Sequence, residues 1–176
     1  MYVLVTGPPA SGKSSLAMVL APALGLPLLA KDAVKGALIG VLGAPDVEAS
    51  RRLGRAAVAA LLAVAADAGC GVLDSAWVDR EAAAKELAAL PGPVVEVFCR
   101  CDEGLLAERY AARAATRGPG HFDAERPADE LWNDLSLQPV AGGWPVIEVD
   151  TGRDVDLASL VGSVWGAAGP GSRPPG

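Results

Sequence analysis

Short apolar runs alternate with helix-periodic stretches along nearly the whole chain. Tyr2-Val3-Leu4-Val5-Thr6 is rich in β-formers and stops at Gly7-Pro8-Pro9, which predicts a buried strand. Lys13 to about Ala23 predicts a helix closed by Gly25, and Leu26 to Ala30 a second strand. Asp32 can cap a helix to about Leu42, stopped by Gly43-Ala44-Pro45. Asp46 can cap a long helix through Ala68, with Gly69 as its stop. Gly71-Val72-Leu73-Asp74 predicts a third strand, and Asp79 starts a helix that Pro91-Gly92-Pro93 breaks. Val94 to Phe98 predicts a fourth strand, followed by an arginine-studded helix from Asp102 to about Thr116. A loop from Arg117 to His121, a short helix near Ala128 to Leu137, a fifth strand from Pro145 to Val149 and a last helix from Asp154 to Trp165 complete the pattern.

Apolar strands separated by helices imply a mostly parallel sheet covered on both faces, an α/β class fold. One domain over residues 1–166 is expected, with a disordered tail over 167–176 that has nothing to bury. The composition agrees: 51% of the 176 residues are apolar and 20% charged, which excludes disorder throughout. A net charge of −6 argues against nucleic acid as a standing partner. One His and three Cys argue against a histidine-rich metal site and a disulfide framework. The apolar run Ala56 to Ala66 is too short for a bilayer, which needs about 20 residues. A soluble cytoplasmic protein with reduced thiols and no membrane partner is expected; oligomeric state is not legible.

The chemistry is concentrated in one motif. Gly7-Pro8-Pro9-Ala10-Ser11-Gly12-Lys13-Ser14 fits G-x-x-x-x-G-K-[ST] between a strand and a helix, with Ser15 next in line. Glycines let consecutive backbone N–H groups turn inward on an anion, and the helix beginning at Lys13 adds its positive end. Lys13 would meet the β and γ phosphates of ATP, and the Ser14 hydroxyl would ligate Mg²⁺.

Further residues point to phosphoryl transfer. Asp32 lies after the second strand, where a carboxylate could orient an acceptor hydroxyl and take its proton; the alternative is a helix cap, and both roles can coexist. Arg109, Arg113 and Arg117 recur every four residues and could stack on adenine and neutralise phosphoryl oxygens, or form a solvated face. Asp74 at a strand tip could hold Mg²⁺-bound water or a substrate hydroxyl, or cap a turn. Trp77 could wall the acceptor site or lie in the core. Arg51, Arg52 and Arg55 form a basic cluster that could meet an anionic group on the substrate, or a solvated helix face. His121 falls in the expected lid, and Cys99-x-Cys101 reads better as strand-end thiols than as a zinc site.

These features together resemble the small P-loop kinases of the AAA_33-type family, a group that includes chloramphenicol phosphotransferase-like, zeta-toxin-like, gluconate/shikimate-type and polynucleotide-kinase-like enzymes. The resemblance covers about residues 2 to 165 and implies a three-layer P-loop NTPase fold, a five-stranded sheet and a helical lid over about 109–128. It implies that Asp32 is the catalytic carboxylate and that Arg109, Arg113 and Arg117 are lid arginines. Lys35 falls where polynucleotide-kinase-like members carry Arg, and Val149-Asp150-Thr151-Gly152 resembles the fifth-strand end leading beneath adenine. An ATP- and Mg²⁺-dependent kinase acting on a hydroxyl of a sugar, polyol, nucleoside or antibiotic is the leading expectation. A 5′-hydroxyl polynucleotide kinase is the alternative within enzymes, and a nucleotide-gated regulatory protein the alternative outside them.

Overall fold

A computed structural model describes residues 1–77, 79–116, 120, 122, 127 and 131–169. Five strands form one sheet: β1 (Tyr2–Thr6), β2 (Leu28–Ala30), β3 (Gly71–Asp74), β4 (Val94–Arg100) and β5 (Val146–Asp150). Their order is β2-β3-β1-β4-β5. Every pairing is parallel, so the sheet is wholly rather than mostly parallel. The helices are α1 (Lys13–Leu24), α2 (Lys31–Leu42), α3 (Val47–Ala68), α4 (Arg80–Ala88), α5 (Glu103–Thr116) and α6 (Leu157–Ala168). This is the three-layer P-loop NTPase architecture.

Alternation along each strand sorts the core into two layers. Val3, Val5, Val72, Val97 and Cys99 face one side and pack with Leu16 and Leu20 of α1 and Leu160 and Val164 of α6. Tyr2, Leu4, Leu73 and Val94 face the other and pack with Leu61 and Ala65 of α3 and Ala83 and Leu87 of α4. The Tyr2 hydroxyl donates to the Ala65 carbonyl at 3.2 Å, tying β1 to α3. With β1 at the centre of the sheet, all five strands point their C-terminal ends at one rim. In open parallel sheets that rim carries the ligand.

Local chemistry sets most helix starts. Asp46 accepts from Ala49 N–H at 2.7 Å and Asp79 from Ala82 N–H at 3.0 Å, capping α3 and α4 as expected. Two starts differ from expectation. The residue capping α2 is Ala30, and Asp32 sits inside the first helical turn, because β2 runs into α2 without a loop. For α6 the cap is Asp156, which accepts from Ser159 N–H at 3.0 Å, rather than Asp154. That start turns Leu160 and Val164 into the core. The expected short helix near 128–137 is described only from Leu131, which is helical and followed by turns.

Glu96 is a fully buried carboxylate in the middle of β4. It accepts from the Thr6 hydroxyl at 2.6 Å, Val140 N–H at 2.8 Å, Ala141 N–H at 2.9 Å and the Trp144 indole N–H at 3.0 Å. Among the described residues the carboxyl group is held by these donors and by no cation, and it pins the segment before β5 to the sheet. Glu96→Ala would strand those donors and is expected to cost about 3–5 kcal/mol, read as a lower urea midpoint. A loss below about 1 kcal/mol would show that water replaces the carboxylate.

Candidate active site

The phosphate loop follows from β1 and α1. Gly7 has φ of 140° and Gly12 of 80°, values that L side chains rarely adopt. A Cβ on Gly7 would stand 2.4 Å from the Cys99 carbonyl oxygen, so the loop crosses β4 where only glycine fits. Ala10 also has positive φ, at 68°. Such values in a short loop fit a backbone bent around an anion. The Ser11 amide donates to the Pro8 carbonyl at 3.1 Å and closes the turn.

Lys13 is buried, and its ammonium donates to the Pro8 carbonyl at 3.3 Å, which places the charge over the loop itself. Burial holds that ammonium below the usual lysine range, against the opposing pull of Asp74. Asp74 ends β3 and is buried. Burial pushes its carboxyl up from the ordinary value, while a hydrogen bond from the Ser14 hydroxyl and the Lys13 charge draw it back. Its Oδ1 is buried with no hydrogen-bond partner among the described residues. An unsatisfied carboxylate oxygen beside a serine hydroxyl is a fit donor set for Mg²⁺, which takes one or two protein oxygens and completes its shell with phosphate and water. No group of three or more His, Cys, Asp or Glu side chains among the described residues forms a closed metal cage.

Three spaces lie in a row along the rim. The first, about 600 Å³, is lined by Ala10, Gly12 to Leu16, Val19, Arg109, Arg113, Thr151 and Val155. The second is a gap of about 60 Å³ bordered by Pro9, Lys13, Ser14, Lys31, Asp32, Asp74, Ser75, Ala76 and Arg113. The third, about 520 Å³, includes Lys31, Lys35, Arg51, Arg55, Ser75, Ala76 and Trp77 in its lining. Lys13, Ser14 and Arg113 are common to the first two, and Lys31, Ser75 and Ala76 to the last two.

The sequence-identified residues divide over these spaces. Ala10, Gly12, Lys13, Ser14, Ser15, Arg109 and Thr151 line the first. Gly152 is not in that lining; its N–H is held by the Asp150 carboxylate at 3.0 Å. Arg109 donates to the Thr151 carbonyl at 3.1 Å, which fixes its guanidinium in the first space, whose lining does not include Asp32. Arg113 reaches both the first space and the gap, and its guanidinium lies 5.0 Å over the Tyr110 ring. Tyr110 in turn meets Trp132 edge-on at 5.6 Å, and the Trp132 indole donates to the Pro9 carbonyl at 3.1 Å. Arg113 is thereby steadied against the phosphate loop through two aromatic rings. Arg117 and His121 lie outside the described residues.

Asp32 borders the gap and pairs with Lys31 at 3.0 Å. Lys35 is buried and donates to the Ser50 hydroxyl at 2.7 Å. Trp77 meets both expectations, since it is buried in the core and walls the third space. Its φ of 45° is unusual for a bulky residue and bends the chain just after Asp74. Arg52 turns outward to Glu48 at 3.2 Å. Cys99 is buried, and its thiol is pushed up to about 12 by burial, so it stays neutral and inert.

Lys31 and Trp132 were missed by sequence reasoning. Lys31 adjoins Asp32, and that adjacency was the available signal. Nothing local marked Trp132, whose contact with Pro9 spans 123 residues.

Comparison places this geometry among known proteins. A candidate kinase from Chloroflexus aurantiacus is 32% identical, with 94% of this chain and 97% of that chain covered at a TM-score of 0.82. A sugar kinase from Janibacter sp. is 20% identical, covering 99% and 98% at a TM-score of 0.61. Kti12 of Chaetomium thermophilum, solved with ADP-AlF3, is 17% identical, covering 96% and 100% at a TM-score of 0.66. At those last two identities the likeness is one of fold. No curated protein matches the chain in sequence. No described helix is long and apolar enough to cross a membrane. The AAA_33 family model, described as an AAA domain, matches residues 3–135, a span that holds the phosphate loop, Asp32, Asp74, Arg109 and Arg113, and the chain belongs to that family.

Proposed function

We propose that this chain is an ATP-dependent phosphotransferase that moves the γ-phosphoryl group to a hydroxyl of a small molecule. One observation carries the reading: Lys13, Ser14, Asp32, Asp74 and Arg113 border one small gap, with a larger space on either side. A donor in the first space and an acceptor in the third would meet across that gap. A reduced cytoplasmic setting suits the three free cysteines.

Each residue then has a role. The loop amides and Lys13 hold the β and γ phosphates. Val19 and Val155, which line the same space as Arg109, offer apolar contact to the base. Asp32 accepts a hydrogen bond from the acceptor hydroxyl and aims its oxygen at the γ-phosphorus. The new O–P bond forms as the bond from the γ-phosphorus to the β–γ bridging oxygen breaks, and ADP leaves with that electron pair. The acceptor proton passes to Asp32 late in the step. Arg113 and Lys13 face the charge spread over the transferring oxygens. Mg²⁺, held by Ser14 with Asp74 behind it, would offset phosphate charge.

The test is ADP release from Mg²⁺·ATP, measured with and without a panel of hydroxylated compounds and a 5′-hydroxyl oligonucleotide. The expected result is stimulation by a small molecule, with the phosphorylated product seen by ³¹P NMR. Stimulation by the oligonucleotide alone would favour a polynucleotide kinase. Background hydrolysis unmoved by every acceptor, with nucleotide-dependent protein binding, would favour a regulatory protein.

A further inference from the structure

The phosphate loop has few amides to offer an anion. Pro8 and Pro9 have no N–H, and the Ser11 N–H is spent on the Pro8 carbonyl at 3.1 Å. Between Pro8 and Lys13 that leaves the N–H groups of Ala10 and Gly12, and both residues line the first space. Each follows a carbonyl that is held from a distant part of the chain. The Pro9 carbonyl accepts from the Trp132 indole N–H at 3.1 Å, and the Ser11 carbonyl accepts from the Thr151 hydroxyl. The Arg100 carbonyl also lies 3.0 Å from that hydroxyl, but it already accepts from the Thr151 N–H at 2.9 Å. In a trans peptide the C=O and the N–H point in opposite directions from one rigid plane. Fixing the Pro9 carbonyl therefore fixes the Ala10 N–H, and fixing the Ser11 carbonyl fixes the Gly12 N–H. Trp132 is not in the lining of the first space, so it draws the Pro9 carbonyl away from that space and turns the Ala10 N–H back toward it. Ala10 also holds a φ of 68°, which a residue with a side chain keeps only where its surroundings enforce it.

We propose that Trp132 and Thr151 are positioning residues that hold two peptide planes of the loop, so that the Ala10 and Gly12 amides stand ready for phosphate oxygens before nucleotide binds. Trp132 reaches the loop from the segment after α5, and Thr151 from the end of β5. Donors already aimed at an oxyanion bind it without first having to be oriented. The proposal rests on the nucleotide-binding half of the phosphotransferase reading and is indifferent to the acceptor.

Calorimetry on the full chain with Mg²⁺ tests it, using two probes: a non-hydrolysable ATP analogue, and inorganic tripolyphosphate, which has neither base nor ribose. Trp132→Phe and Thr151→Val each remove one donor and keep most of the bulk, and the phenyl ring can still meet Tyr110. Each variant is expected to weaken both probes by about fivefold, while Thr151→Ser, which retains the hydroxyl, keeps the wild-type affinity. Thr151 itself lines the first space, so tripolyphosphate separates holding the loop from touching the nucleoside. Titrations are run well below the Tm of each variant, so that lost affinity is not lost fold. A loss confined to the ATP analogue overturns the proposal, as does affinity within twofold of the wild type for both probes in either variant. Thr151→Ser as weak as Thr151→Val also overturns it. Turnover separates the two readings. Variants that bind tripolyphosphate weakly, in a protein whose wild type phosphorylates no acceptor, leave the loop tethers standing and defeat the phosphotransferase. Transfer by the wild type, with both variants at full affinity, does the opposite.

Discussion

Lys13→Ala is expected to weaken Mg²⁺·ATP binding by at least about a hundredfold and to leave no measurable phosphoryl transfer. The size follows from where the ammonium sits. It is buried over the phosphate loop, 3.3 Å from the Pro8 carbonyl, where water screens it little. Each hydrogen bond from a charged donor is worth about 1.5–3 kcal/mol, and a triphosphate would accept more than one. Burial already holds the ammonium below the usual lysine range. A bound polyanion reverses that direction, so nucleotide affinity should decline as pH rises toward the lowered lysine value. Calorimetric titration of the wild type and the variant measures both effects. Affinities within threefold of each other would place the nucleotide elsewhere.

Asp32→Asn is expected to do something different. Turnover should fall by about 10²–10⁴, while Mg²⁺·ATP affinity stays within a few-fold of the wild type. Asp32 borders the gap and lines neither larger space, so on the proposed reading it would meet the reacting end and not the bulk of either substrate. Asparagine keeps the shape and can still orient a hydroxyl, but it cannot take the proton. It also leaves Lys31 without its 3.0 Å partner, a partly exposed pair of small energetic weight. The helix start survives because Ala30, not Asp32, occupies the cap position. Single-turnover assays separate transfer from binding. Near-full transfer in the variant would remove Asp32 from its assigned role.

The readable parts of the chain were those governed by short-range chemistry. The loop from Gly7 to Ser14 has few backbone solutions, and its place between a strand and a helix was fixed by the flanking pattern. Asp46 and Asp79 each reach an amide three residues on, a bond that depends on no distant contact. The α2 start was misread because a carboxylate after an apolar run resembles a cap when no loop is visible. For α6, two aspartates competed, and burial of Leu160 and Val164 chose between them. Glu96 was passed over because Val-Val-Glu-Val-Phe reads as a strand whatever the acid does. Its four donors come from β1 and the segment before β5, and no local pattern joins those parts. Of the candidate site, the motif and both carboxylates could be singled out from position, and Arg109 and Arg113 from their spacing, and each of them contributes to the lining of the first space or the gap. The different placement of the two arginines was not legible, because it depends on the Thr151 carbonyl and the Tyr110–Trp132 pair.

The most direct measurement is a crystal structure with Mg²⁺, ADP and aluminium fluoride. The fluoride should lie in the gap between Lys13 and Arg113, with Mg²⁺ on the Ser14 side and Asp32 facing the in-line position. ADP bound outside the space lined by Gly12 to Leu16, or an Asp32 carboxylate turned away from the fluoride, would contradict phosphoryl transfer across that gap.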